Sequence, residues 1–264
     1  MLNAALWSLS AVAVAREHAL LGVASDPAWF VQMLLSAIYV AGCAFRSALP
    51  VIDIPRLVLI DSRLSSVLVG RSIATVAELC FAAQWALMLN RAALLGHSPL
   101  VQAVSSVIVP LIVLAEGFSW YAVLTTEQRA HAVENSLWGL SAALTVAGVW
   151  VIGPHELAAL YRPVIAGGLA YVAFIFLYDV PMYWSRWLAD QANGRKYLSA
   201  ADGMAEVCGR WTVSYRWEDW KSEVAWMSLY FTFGVWSSIW LAYASLTLVL
   251  GNQQPGVQFV PAPP

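Results

Sequence analysis

The sequence predicts an all-α, polytopic transmembrane helix bundle with six clear spans and room for a seventh, N-terminal helix. Three observations predict it. Apolar residues make up 60% of the chain and charged ones 11%. The apolar residues are grouped in stretches long enough for a hydrocarbon slab of roughly 30 Å. The few Lys and Arg outside those stretches fall mostly on one set of connections. A chain of 264 residues with 14 tryptophans and a mean hydropathy of +0.67 has too little interior to hide so much apolar surface as a soluble globule.

The first 24 residues leave three readings open, because the apolar run 4–15 stops at Arg16-Glu17-His18. They could form a seventh span, an interfacial helix, or a signal peptide, the last weakened by the absence of Lys or Arg before the apolar run. A helix packed or inserted with the bundle is the favoured reading. Residues 29–45 form a short first span; 65–90, 99–125, 134–152, 163–184 and 224–250 form five longer ones. Pro110, Pro181 and Gly167-Gly168 mark places where spans can break, since proline removes a helical hydrogen bond. Such breaks either line cavities or are tolerated as kinks, and they do not occupy matching positions in two halves, as an inverted repeat would require. Residues 1–250 are expected to form one transmembrane helical domain and 251–264 a disordered Pro-rich tail.

Counting Lys and Arg by side orients the chain. One side carries Arg46, Arg56, Arg63, Arg129, Arg186, Arg195, Lys196, Arg210, Arg216 and Lys221, the other only Arg16, Arg91 and Arg162. Ten against three places segment 186–222 in the cytoplasm and the C-terminus outside. That segment also carries Trp187, Trp211, Trp217 and Trp220, a mixture suited to the headgroup level. Within it, residues 199–208 read as a short helix with Ser199 as N-cap, placed to cover the mouth formed by Glu134 and Glu223. Low Lys with high Ala and Arg fits a GC-rich bacterial genome, hence a bacterial inner (cytoplasmic) membrane.

Four charges fall inside spans: Arg71, Glu78, Glu116 and Asp179. A charge at a helix centre costs at least ~2.5 kcal/mol, so it persists where it faces protein, water or a ligand. At 1.5 Å per residue from the cytoplasmic ends, Arg71 lies roughly 8 Å deep, Asp179 about 9 Å, Glu116 about 13 Å and Glu78 about 20 Å. Equal depth suggests Arg71–Asp179 as the ion pair, with Glu116 the second partner. Helical phase groups Arg71, Thr75 and Glu78 on one stripe; Glu116, Ser119 and Trp120 on another; Glu134, Ser141 and Thr145 on a third; Asp179 with Tyr183; and Glu223 with Tyr230 and Gly234. Small and hydroxylated members of such stripes also serve as plain packing devices. The candidate ligand-binding residues are Arg71, Glu78, Glu116, Tyr121, Glu134, Asp179, Tyr183 and Tyr230.

One buried cation against three acids leaves two acids that must protonate, hydrate or bind an added cation. The first functional expectation is therefore a site for a cation, proton or small amphiphile in the cytoplasmic half, with transport as one use of it. A structural or sensory subunit is the second, with a protein partner or homo-oligomer. An intramembrane enzyme acting on a lipid or isoprenoid is the third; no paired acids at short spacing support it. Membrane lipids are expected partners and nucleic acid is not, since no basic tract exists. The cofactor is unknown. Retinal would need a lysine within the bundle, and Lys196 and Lys221 lie outside the spans. Haem would need a ligand such as His in a span core, and His18, His97, His131 and His155 avoid one. The three cysteines, Cys43, Cys80 and Cys208, give neither a disulfide framework nor zinc spacing.

Overall fold

A computed structural model describes residues 2–20, 27–209 and 211–253. In chain order they form α1 (Leu2–Leu20), α2 (Pro27–Ala48), strands β1 (Val51–Ile52) and β2 (Leu57–Val58), α3 (Val67–Leu95), α4 (Pro99–Thr125), α5 (Gln128–Ile152) and α6 (Pro154–Phe174). A π-helical turn, Ile175–Asp179, then leads into α7 (Val180–Ala192), followed by α8 (Ala200–Gly209), β3 (Thr212–Val213) and α9 (Trp217–Gln253). Among the described residues six helical stretches are long and apolar enough to cross a membrane: Pro27–Ala48, Val67–Leu95, Pro99–Thr125, Gln128–Ile152, Leu160–Ala192 and Trp217–Ala244. The chain is an all-α integral membrane protein. In a bilayer the backbone polar groups must be satisfied within each span, which the helix does and an irregular segment does not.

Local chemistry sets the helix ends. Ser66 caps α3 by accepting from Val69 N, and Ser98 caps α4 by accepting from Val101 N ahead of Pro99. Thr126 takes a left-handed conformation, φ 65°, and ends α4. With Thr126 and Glu127 alone between them, α4 and α5 form a tight antiparallel hairpin. Pro110 lies inside α4 and the helix runs through it. Pro181 follows the π turn, where the helix widens around the carbonyl that proline leaves without a donor. Gly139 lets α5 approach that turn: a Cβ there would meet Phe176 and Ile175 within 2.9 Å.

One end of the bundle carries a small cap, called here the sheet end. Strand β1 pairs antiparallel with β2, and β2 pairs parallel with β3, so the α2–α3 connection is tied to the segment before α9. Helix α8 packs across α3 and α4; Gly203 makes this possible, because a Cβ there would lie 2.0 Å from Leu124 O. Arg56 fixes the same corner, donating to Val123 O and Leu124 O and pairing with Glu206 at 3.3 Å. The opposite end is apolar, its core formed by Met88, Leu89, Val101, Val149, Leu160 and Leu241.

Segment 186–222 distributes itself over α7, α8, β3 and the start of α9. Ser199 Oγ accepts from Asp202 N, so the N-cap expectation holds. Trp220 is buried and donates to Ser214 O, Trp211 donates to Asp61, and Trp217 stays exposed. The N-terminal helix packs on α2 and α9 through Trp7, which is 2% exposed beside Tyr39 and Val235. The side chains of Glu17 and His18, residues 21–26, Arg210 and the Pro-rich tail from residue 254 on lie outside the described residues; α9 itself continues through Gln253.

A candidate cation site among three helices

Three neighbouring helices bring their polar stripes together toward the sheet end. Helix α3 contributes Arg71, Thr75 and Glu78, α4 contributes Glu116, Ser119 and Trp120, and α5 contributes His131 and Glu134. Carboxylate oxygens of Glu78, Glu116 and Glu134 all lie within 4.8 Å of one another. Arg71 Nη2 donates to Glu116 Oε2 at 2.6 Å and to Glu78 Oε2 at 3.1 Å. Trp120 Nε1 donates to Thr75 Oγ1 at 3.0 Å, and Thr75 Oγ1 donates in turn to Glu116 Oε2 at 2.5 Å. On the α5 side, His131 Nδ1 sits 2.7 Å from Glu134 Oε2.

Burial sets the electrostatic stakes. The side chains of Arg71 and Glu116 are 7% and 5% exposed, while Glu78 keeps 24%. A pair so far from water gains strength from the low dielectric but pays heavily for desolvation, so every remaining lone pair and N–H matters. Several remain: Glu116 Oε1, Arg71 Nε, Ser119 Oγ and Ser141 Oγ are buried without a hydrogen-bond partner. Three acids, Glu78, Glu116 and Glu134, stand here against one guanidinium, that of Arg71. Carboxylates at this spacing hold a proton or another cation between them.

The expected Arg71–Asp179 pair does not form: Arg71 pairs with Glu116 and Glu78. Equal depth does not make two helices neighbours. Helix α3 packs along α4, whereas the π turn and α7 pack on α5, which puts Asp179 on the far side of Glu134. Two depth assignments also change. Helix α5 begins at Gln128, so Glu134 lies about 9 Å inside it and not at its mouth; α3 begins at Val67, which brings Glu78 to about 16 Å. The cap accordingly covers α3 and α4, with Glu134 one layer below it.

Asp179 and Tyr183 reach the cluster through His131. The His131 and Tyr183 rings are 5.1 Å apart, Arg186 lies over the Tyr183 ring at 5.6 Å, and Asp179 interacts electrostatically with Glu134 and His131. Tyr230 Oη lies 3.2 Å from Tyr171 Oη and joins α9 to α6, within electrostatic reach of Glu78. Tyr121 is 48% exposed on α4 and takes no place in the cluster.

Sequence reasoning missed His131, Tyr171 and the support from Trp120 to Thr75. The signal for His131 was its i, i+3 spacing to Glu134; it was set aside with the other histidines because the span was started at residue 134, and the structure extends the helix through it. No protein-family model matches the chain, and no curated protein or solved structure matches it.

Proposed function

We propose that this membrane protein binds a cation at the cluster of Glu78, Glu116 and Glu134, using Arg71 as a fixed internal counter-charge. The observation that carries the reading is the excess of acid over base in a buried place, together with Glu116 Oε1, which is enclosed and has no donor. A site built only to hold helices together would close its charge balance. This one keeps an open oxygen at Glu116 Oε1 and sets three acids against one arginine, and the Glu78 side chain is 24% exposed. With the sheet end in the cytoplasm, as the Lys and Arg bias indicates, the site lies in the cytoplasmic half of the bundle. The His131, Asp179 and Tyr183 group leads from Glu134 toward the flank of α7, a route along which a cation or proton could be passed if the protein is a transporter.

Native mass spectrometry with elemental analysis, on protein extracted gently from its membrane, tests the binding reading against a Glu78→Gln/Glu116→Gln double variant. A bound cationic species present in the wild type and lost from a folded variant is the expected result. An empty wild type, or retention of the species by the variant, overturns the reading.

A further inference from the structure

The cap at the sheet end holds a cavity of about 640 Å³ that shares no residue with the carboxylate cluster. Its walls come from the α2–α3 connection with Arg56, the α4–α5 hairpin with Thr126 and Gln128, the stretch from the α7–α8 connection into α8 with Arg195 and Glu206, and the segment before α9 with Trp211. That volume falls within the roughly 300 to 1,000 Å³ usual for small-molecule sites. The walls are distant in sequence and tied where they meet: Thr212 N donates to Arg56 O, and Leu198 N donates to Thr125 O.

The charged lining consists of two arginines, Arg56 and Arg195, and one acid, Glu206. Arg56 is anchored in the wall, with Nη2 donating to Val123 O and Leu124 O, Nη1 paired to Glu206 at 3.3 Å, and Nε buried without a partner. Arg195 is held more loosely. Its Nη1 alone reaches Asp190, at 3.2 and 3.4 Å, Asp190 is not part of the lining, and the Arg195 side chain is 39% exposed. A guanidinium has five N–H donors in a fork, so Arg195 can take a further acceptor without giving up Asp190.

The start of α5 adds to this. Gln128 opens that 25-residue helix, Glu127 supplies no side-chain cap, and the Glu127 carboxylate is paired with Arg129 at 3.0 Å. The first N–H groups of an uncapped helix attract an anion. Gln128 is only 8% exposed, yet its Oε1 is buried without a hydrogen-bond partner. Turning the amide over exchanges that oxygen for an NH2 donor in the same place. Much of the remaining lining is apolar: Ile54, Pro55, Leu57 and Leu198, beside the Trp211 indole, which Asp61 holds through Nε1 at 3.0 Å. Such walls favour an anion that carries hydrocarbon over a bare hydrated ion. A carboxylate has two oxygens in one plane, which a single arginine fork satisfies. A phosphate monoester has three around a tetrahedral centre, which suits donors carried on separate stretches of chain.

We infer that this cavity binds a phosphate monoester, with Arg195 and the start of α5 at Gln128 on the phosphate, Arg56 as a fixed positive charge in the wall, and the carbon part of the ester against Trp211 and Leu198. The ester is either a lipid headgroup that ends in phosphate or a soluble organic phosphate; the group recognised is the same.

Isothermal titration of the full chain in a maltoside detergent decides it, with phenyl phosphate, inorganic phosphate, phenylacetate and phenol as probes. Phenyl phosphate should bind about tenfold or more tightly than each of the others, which lack either its apolar part or its phosphate. Arg195→Gln should weaken phenyl phosphate by a similar factor, and Arg162→Gln, an exposed α6 position outside the lining, should leave it unchanged. The comparison among probes needs only the wild type, so it stands even where a variant fails to fold. Absence of phenyl phosphate binding overturns the inference. So does equal affinity for any of the other three probes, and so does full retention by folded Arg195→Gln. Nanodiscs of choline lipid separate the two sources. Added phosphatidate that suppresses phenyl phosphate binding, where the same content of phosphatidylglycerol does not, identifies a headgroup; unchanged titrations with both identify a soluble ester. Equal suppression by both lipids overturns the assignment of a monoester.

Discussion

Two buried polar networks share helix α3, and they are built on opposite principles. Two turns beyond Glu78, Gln84 is fully buried at the meeting of α2, α3 and α9. Its Nε2 donates to Gln32 O at 3.3 Å and Ser238 O at 3.2 Å, while its Oε1 accepts from Ser238 Oγ at 2.6 Å. Gln32 Nε2 donates back to Gln84 O at 2.9 Å, and Ser36 Oγ lies 3.0 Å from Ser238 Oγ. This network is neutral and nearly closed; Gln32 Oε1 alone among its side-chain atoms lacks a partner. The Arg71 cluster is charged, lopsided and open at Glu116 Oε1. A neutral amide network satisfies itself and pins three helices. A charged network with excess acid needs something from outside, and that difference separates a fastening from a site.

Substitutions break or sharpen the contrast. The largest effect is expected from Arg71→Leu, which strips Glu78 and Glu116 of the cation paired with them among the described residues and should cost about 3 to 5 kcal/mol of stability, as for other broken buried pairs. Thermal unfolding in detergent would show it, and Arg71→Leu/Glu116→Leu should recover a large part of the loss. A double variant no more stable than the single one would mean that the pair is not the dominant interaction. Gln84→Leu should cost about 2 kcal/mol through three lost hydrogen bonds, yet leave cation binding at the carboxylate cluster unchanged. Loss of binding in a folded Gln84→Leu protein would erase the distinction between fastening and site.

Thr75→Val removes a donor to an ionised carboxylate and leaves the Trp120 indole N–H unsatisfied; about 1.5 kcal/mol is expected from the unfolding midpoint. Glu116→Gln keeps the shape of the side chain and a second acceptor, Glu78, for Arg71, so it should destabilise less than Arg71→Leu while weakening cation binding. The smallest effect belongs to Ser238→Ala, about 0.6 kcal/mol, typical of one interhelical hydrogen bond in a membrane protein. A cost above that of Gln84→Leu would show that the hydroxyl, and not the amide, organises the neutral network.

The charged residues of the site were legible because charge in an apolar span is rare and costly. Arg71, Glu78, Glu116 and Glu134 stand out by composition, and helical phase put each on a polar stripe. Gln84 and Gln32 were overlooked although they are as buried as Arg71 and Glu116, because a neutral amide gives a weaker signal against an apolar background. His131 was lost to a boundary: residues 128–133 read as a connection because Gln128, Arg129 and His131 interrupt the apolar run. Thr126 in its left-handed turn, a conformation uncommon for a β-branched residue, shortens that connection and pulls the histidine into the helix.

Hydropathy alone fixed the class of this protein, the place of its six spans though not all their ends, and the small set of buried charges, since each follows from what one residue costs in hydrocarbon. Which charge meets which was decided by tertiary structure. Depth along a helix is a property of sequence, but adjacency between helices is not; it depends on close approaches such as Gly139 against Phe176 and Gly203 against Leu124, and on the two-residue hairpin between α4 and α5. Those contacts set α4 between α3 and α5, gave Glu116 to Arg71, and left Asp179 with His131.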